Sequence, residues 1–165
     1  MSNEAWEKQI AELWTALDAH APQDFVARVD ALAAELPAGD AIGCFERASA
    51  RDSTGASDQA IPLYRAALAA GLVGNRRRRA TIQLASSLRT IGEVAESEAL
   101  LRAELQQPSD ELDGAVRAFL ALALVEVGRE REAVSVTLIA LAKYLPRYNR
   151  SLAAYAADLS AGRTS

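Results

Sequence analysis

Apolar residues recur at helical spacing along almost the whole chain. Trp6, Ile10, Leu13, Trp14 and Leu17 fall on one face of a first helix. Phe25, Val29, Leu32 and Leu36 mark a second. Pro22 sits in its first turn, where a missing N–H costs nothing, and Pro37 and Gly39 end it. A third helix is predicted from about Asp40 to Ser53, and a fourth through Ile61, Tyr64, Ala67 and Leu68 to Gly71. Residues 71–75 read as a turn. The fifth helix carries Ile82, Leu84, Ala85, Leu88 and Ile91, and the sixth Leu100, Leu101 and Leu105, ending before Pro108. Asp110 and Asp113 resemble a helix start for the seventh, whose face is Leu112, Val116, Phe119, Leu120, Ala123, Leu124 and Val127. The eighth presents Val134, Leu138, Leu141 and Leu145 up to Pro146, and the ninth Tyr148, Leu152, Tyr155 and Leu159, with fraying expected from Ser160 on. No segment alternates with the period of a strand, so the fold class is all-α, with about nine antiparallel helices.

Three glycines set a longer period. Gly55, Gly92 and Gly128 each separate two helical patterns, at intervals of 37 and 36 residues. Such a period signals stacked helical hairpins, because one hairpin cannot bury its apolar face alone. The units agree in phase. After the turn glycine comes a small residue five positions on: Ala60, Ser97 and Ala133. Ala60, Tyr64 and Ala67 form a small–aromatic–small set in the second helix of the first unit, and Ala133, Thr137 and Ala140 hold the same places in the third. Leu84-Ala85 with Leu88, and Leu120-Ala121 with Leu124, repeat in the first helices.

This spacing resembles the tetratricopeptide repeat. The stretches Phe45 to Gly55, Ala60 to Leu68 with Gly71-Leu72, and Gln83 to Gly92 are similar to the bacterial tetratricopeptide group 5. The resemblance implies a right-handed α-α superhelix in a single domain over 1–165. An N-terminal helical hairpin would cover 1–38, three repeats 41–74, 78–111 and 114–147, and a capping helix 148–160. It also implies a concave face that binds a protein or peptide, lined by repeat positions 2, 5, 9, 12 and 13. Those positions bring forward Phe45, Ser49 and Asp52, then Arg79, Ile82, Ser86 and Arg89, and in the third repeat Leu122 and Glu126, with Ala118 and Val125 beside them. Asp52 and Arg89 share position 12 and are expected to pair. The Asn and Lys pattern that clamps a C-terminal carboxylate in chaperone-binding relatives is not present.

Composition narrows the chemistry. Half of the residues are apolar, the net charge is −4 and the pI is about 5.1, so duplex nucleic acid is not an expected partner. An RNA-binding helical array is disfavoured on the same ground and by the small number of repeats. The lone His20 and lone Cys44 cannot build a zinc site or a disulfide. His20 reads as a residue at the end of the first helix, Cys44 as a buried inert thiol, and Trp6 and Trp14 as core. No phosphate loop, dinucleotide fingerprint or serine-nucleophile motif occurs, so no catalytic residue and no cofactor is expected. Nor does any apolar run reach membrane-spanning length, and residues 1–8 do not read as a secretory leader, which makes a cytoplasmic protein the expectation. A homo-oligomer is compatible with the pattern.

Two clusters do not fit a plain scaffold. Arg47 and Arg51 stand where the repeat wants apolar residues, with Asp52, Glu46 and Asp58 near in sequence as partners for an internal ion network. Arg76-Arg-Arg-Arg79 opens a helix, where the dipole disfavours cations unless the preceding hairpin supplies contacts. These make a small-ligand or anion sensor, built on the Arg/Asp/Ser cluster of the first two repeats, the alternative to a non-catalytic protein-binding scaffold.

Overall fold

The computed structural model describes residues 3–161. Among them are nine α-helices and no strand: α1 (Asn3–Thr15), α2 (Pro22–Ala33), α3 (Ala41–Ser53), α4 (Ser57–Ala69), α5 (Gly74–Thr90), α6 (Val94–Glu104), α7 (Asp113–Glu126), α8 (Glu130–Ala142) and α9 (Asn149–Ser160). They gather into two compact units, Met1–Ser87 and Leu88–Ser165, with the boundary inside α5.

In the first unit, α3 pairs most closely with α4, and α2 packs on α3. Asp40 caps α3, accepting from the Ile42 and Gly43 amides at 2.9 Å each, a contact typically contributing about 1 kcal/mol. Trp6, Ile10, Phe25, Val29 and Ala50 form one buried cluster. The Trp6 indole donates to the Leu32 carbonyl at 2.8 Å, while Trp14 stands edge-on to Phe25 with centroids 5.0 Å apart. Both tryptophans are thus packing residues. Ala60, Tyr64 and Ala67 are fully buried in α4, as the small–aromatic–small set requires.

The second unit pairs α7 with α8, and α6 and α9 pack on α7 and α8 respectively. Leu88, Leu101, Val116, Leu120, Ala123, Leu124 and Ala156 are among its fully buried residues, and Ala133 is nearly so. The Ser135 hydroxyl donates to the Ala156 carbonyl and fixes α9 to α8.

The periodic glycines all do the same work. Gly55, Gly92 and Gly128 have φ of 86°, 90° and 73°. Behind each, two amides reach back into the finished helix: Gly55 to Asp52 and Ala56 to Arg51, Gly92 to Arg89 and Glu93 to Leu88, Gly128 to Val125 and Arg129 to Leu124. This is a Schellman stop, which needs a left-handed residue and therefore favours glycine.

Local boundaries differ from the periodicity at several ends; Leu145, for one, lies beyond the end of α8. Leu17 lies in a 3-10 turn, Leu17–Ala19, beyond the end of α1. Leu36 follows α2 and packs on the core from the turn. Gly74 and Asn75 belong to α5, so the turn after α4 is shorter than residues 71–75: Gly71 stops α4 with another Schellman pair, and Gly74 opens α5 at φ 63°. Apolar spacing is blind to such ends, because a turn residue can fill a core site as well as a helical one.

Candidate functional site

The arginines that broke the apolar pattern are held by acids within the fold. In α2, Asp30 receives both Arg47 and Arg51. Arg51 donates from Nη1 at 3.0 Å and from Nη2 at 2.8 Å, one bond to each carboxylate oxygen. Arg47 brings its Nε to 3.6 Å from the same carboxylate and donates to the Asp30 carbonyl at 3.4 Å. The partner is therefore Asp30 on the neighbouring helix, and not Asp52, Glu46 or Asp58. Two like charges one helical turn apart are tolerable because they share a single two-oxygen acceptor.

Arg76 staples the start of α5. It donates to both Glu7 oxygens at 2.9 and 2.6 Å and to Glu46 at 3.0 Å. Glu46 is buried and also accepts from the Trp14 indole at 2.7 Å. Hydrogen bonding to Glu7 is the chief reason the Arg76 guanidinium is held above its ordinary pKa, against the pull of burial. Arg79 lies over the Phe45 ring, 5.2 Å from its centroid. Arg47, Arg51, Arg76 and Arg79 thus have contacts within the fold, and the anion-sensor alternative gains no support from them.

Asp52 is the hub of a polar seam. It accepts from Ser87 at 2.8 Å, Ser57 at 3.3 Å and the Tyr64 hydroxyl at 3.4 Å. The Tyr64 hydroxyl also lies 3.5 Å from the Ser49 hydroxyl, and Ser49 is 3.5 Å from Gln83. Burial, foremost, pushes the Tyr64 phenol far above its ordinary pKa, with the neighbouring Asp52 charge acting in the same direction. In the second unit Arg89 forms an ion pair with Glu126. Asp52 and Arg89, expected as each other's partners, thus each have partners within their own unit.

Of the residues implied to line the concave face, Phe45, Ser49 and Ile82 are buried. Asp52, Ser86 and Arg89 are half-buried, and Arg79, Leu122 and Glu126 are exposed. Cys44 is half-buried rather than buried. It lines a shallow cleft of about 320 Å³ with Leu36, Pro37, Gly43 and Arg47. His20 follows the 3-10 turn and tilts against Phe25 with centroids 6.4 Å apart.

The second unit departs from the apolar pattern in the opposite sense. Val134 and Leu141, read as the core stripe of α8, are each 47 % exposed, and the residues α8 does bury are Ala133, Ser135 and Ala142. Leu122 and Val125 of α7 are 47 % and 50 % exposed. Together these helices wall a groove of about 460 Å³ lined by Ala118, Ala121, Leu122, Val125, Ala133, Val134, Thr137 and Leu138. Its lining carries no charged side chain. Elsewhere in this unit Arg102 and Arg129 clasp Glu98 and Glu132 in a four-membered network. Burial opposes ionisation of Glu132, but its bonds to Arg102 and Arg129 prevail and hold its pKa below the ordinary value. The α8 contribution to the groove was not foreseen. Its trace in the sequence is the apolar stripe Val134, Leu138 and Leu141, of which α9 leaves Val134 and Leu141 half exposed.

Among the described residues, no three His, Cys, Asp or Glu side chains come together in a group that could hold a metal ion, and no helix is long and apolar enough to cross a membrane.

Helical hairpins of one recurring pattern, joined by identical glycine stops, define a helical-repeat protein. The family model described as "Tetratrico peptide repeat" matches residues 41–159, and the chain belongs to the tetratricopeptide repeat family. No curated protein and no solved structure matches it.

Proposed function

We propose that this protein is a non-catalytic scaffold that binds another protein or a peptide. One observation carries the reading: the second unit leaves an apolar groove uncovered, with Leu122, Val125 and Val134 about half exposed along it. Apolar surface gathered in one concave place favours association, at about 25 cal/mol for each Å² removed from water. The polar groups of the first unit point the same way by being spent. Asp52, Arg76 and Arg79 are engaged in holding helices of that unit together. Membership of a family of interaction repeats agrees with this. Leu122, Val125, Glu126 and half-buried Arg89 in the second unit, and Arg79 with half-buried Asp52 and Ser86 in the first, are the accessible members of the surfaces assigned to partner contact.

The test is site-specific photo-cross-linking in the native cells. A benzoylphenylalanine replaces Val125 in one strain and the exposed Glu12 of α1 in another. Discrete protein adducts from position 125, absent from position 12, are the expected result. No protein adduct from position 125 beyond that control overturns the reading.

A further inference from the structure

The groove of the second unit has a counterpart in the first, and there it is filled. Counting from Ala41 and from Gly114 as first residues of their repeats, the lining residues Ala118, Leu122, Val125 and Thr137 correspond to Phe45, Ser49, Asp52 and Tyr64. In the first unit α5 covers that place. Arg79, Gln83 and Ser87, one ridge with a four-residue step, fall in turn on Phe45, Ser49 and Asp52. Phe45, Ser49 and Tyr64 are accordingly buried, whereas Leu122 and Val125 stand open. The helix that follows α8 does not take the equivalent seat. Instead α9 attaches through Ala156 to Ser135, and it begins from Tyr148, the one described non-glycine residue with positive φ, at 66°.

We propose that the α7–α8 groove is a vacant helix seat, and that it takes an amphipathic helix of a partner protein with bulky apolar residues at i, i+4 and i+8. This rests on the scaffold reading and names the partner of that same surface. The substitutions between the two seats specify the ridge. Phe45 gives way to Ala118 and Tyr64 to Thr137, so the incoming helix must bring volume of its own. Ser49 gives way to Leu122 and Asp52 to Val125, so polar groups like Gln83 and Ser87 would find no hydrogen-bond partner there. The ridge is therefore large and apolar where that of α5 is polar, the helix-in-groove mode of recognition. A second copy of this chain is a poor occupant. Its helical ridges of that spacing, Trp6, Ile10 and Trp14 in α1 and Val116, Leu120 and Leu124 in α7, are committed to its own cores and, at Trp14, to Glu46.

The test uses a fluorescein-labelled synthetic helix of about 17 residues, long enough to hold helical structure in an alanine, glutamate and lysine background. It carries leucine at three positions four residues apart; a control peptide carries serine there. Full-length protein is titrated in and anisotropy read, with Leu122→Asp and Val134→Asp alongside and their folding checked by circular dichroism. Saturable binding of the leucine peptide, weakened about tenfold or more by each variant and absent for the serine peptide, is the expected result. No binding, or binding equal in the folded variants, overturns the seat. So does sedimentation as a dimer that Leu122→Asp dissociates, since the groove would then be occupied by a second copy. If position 125 cross-links to cellular protein while the leucine peptide does not bind, the helix seat fails and the scaffold reading stands.

Discussion

Ser49 and Leu122 occupy the same place in two helices of one repeating pattern, yet Ser49 is 1 % exposed and Leu122 is 47 % exposed. The polar residue is inside and the apolar residue is outside. Ser49 can be buried because Tyr64 and Gln83 stand at hydrogen-bonding distance, and Leu122 is open because no described helix lies over the α7–α8 groove.

Fully buried Ala60 sets how closely α4 can be approached by its neighbours. Ala60→Leu is expected to lower unfolding free energy by about 1–3 kcal/mol through overpacking. Urea denaturation checks this, and an unshifted midpoint would show that space exists where the structure has none.

Three glycine stops share one geometry, so they should respond alike. Adding a Cβ to Gly55, Gly92 or Gly128 meets no neighbouring atom within 4 Å, which leaves only the left-handed backbone to resist it. Each Gly→Ala variant should lose about 1–2 kcal/mol, with the denaturant slope unchanged.

The helical organisation was legible because it lives in periods: apolar residues at helical spacing, and Gly55, Gly92 and Gly128 at a repeat interval. The Ala60, Tyr64 and Ala67 set could be placed for the same reason. Partners across helices were not legible. Asp30 lies on a helix that nothing in the repeat pattern ties to Arg47 and Arg51, and local sequence offered Asp52, Glu46 and Asp58 instead. The accessible surface was legible only in part. Repeat phase brought Leu122 and Val125 forward, but whether a neighbour covers such a place depends on the next helix. The same phase therefore selected Phe45 and Ser49, which α5 lies against.

Asp30 holds two arginines, so its removal leaves both without that acceptor. Asp30→Ala should destabilise the protein by about 1 kcal/mol, the partial exposure of the carboxylate keeping the cost small. Thermal melting of Asp30→Ala, Arg51→Ala and the double variant checks the coupling. Additive losses would mean that Arg51 and Asp30 do not act as a pair.

Tyr64 gives the protein an alkaline limit. Its folded pKa is raised, so above the unfolded value of 10.0 the unfolded chain releases a proton that the folded chain retains. Its contribution is complete below that pH and is lost as pH rises toward the folded pKa. Stability should therefore fall between about pH 10 and 11, and Tyr64→Phe should show a shallower decline. Equal slopes in urea titrations at those pH values would contradict this.

The vacancy of the α7–α8 groove is tested most directly by comparing the stabilities of Phe45→Ser and Leu122→Ser. Phe45 lies under α5, and its truncation should cost about 3–5 kcal/mol. Leu122 faces an open groove, and its truncation should change unfolding free energy by no more than about 0.5 kcal/mol. A loss at Leu122 approaching that at Phe45 would show that the groove is already covered in the folded protein and is not a place for a partner.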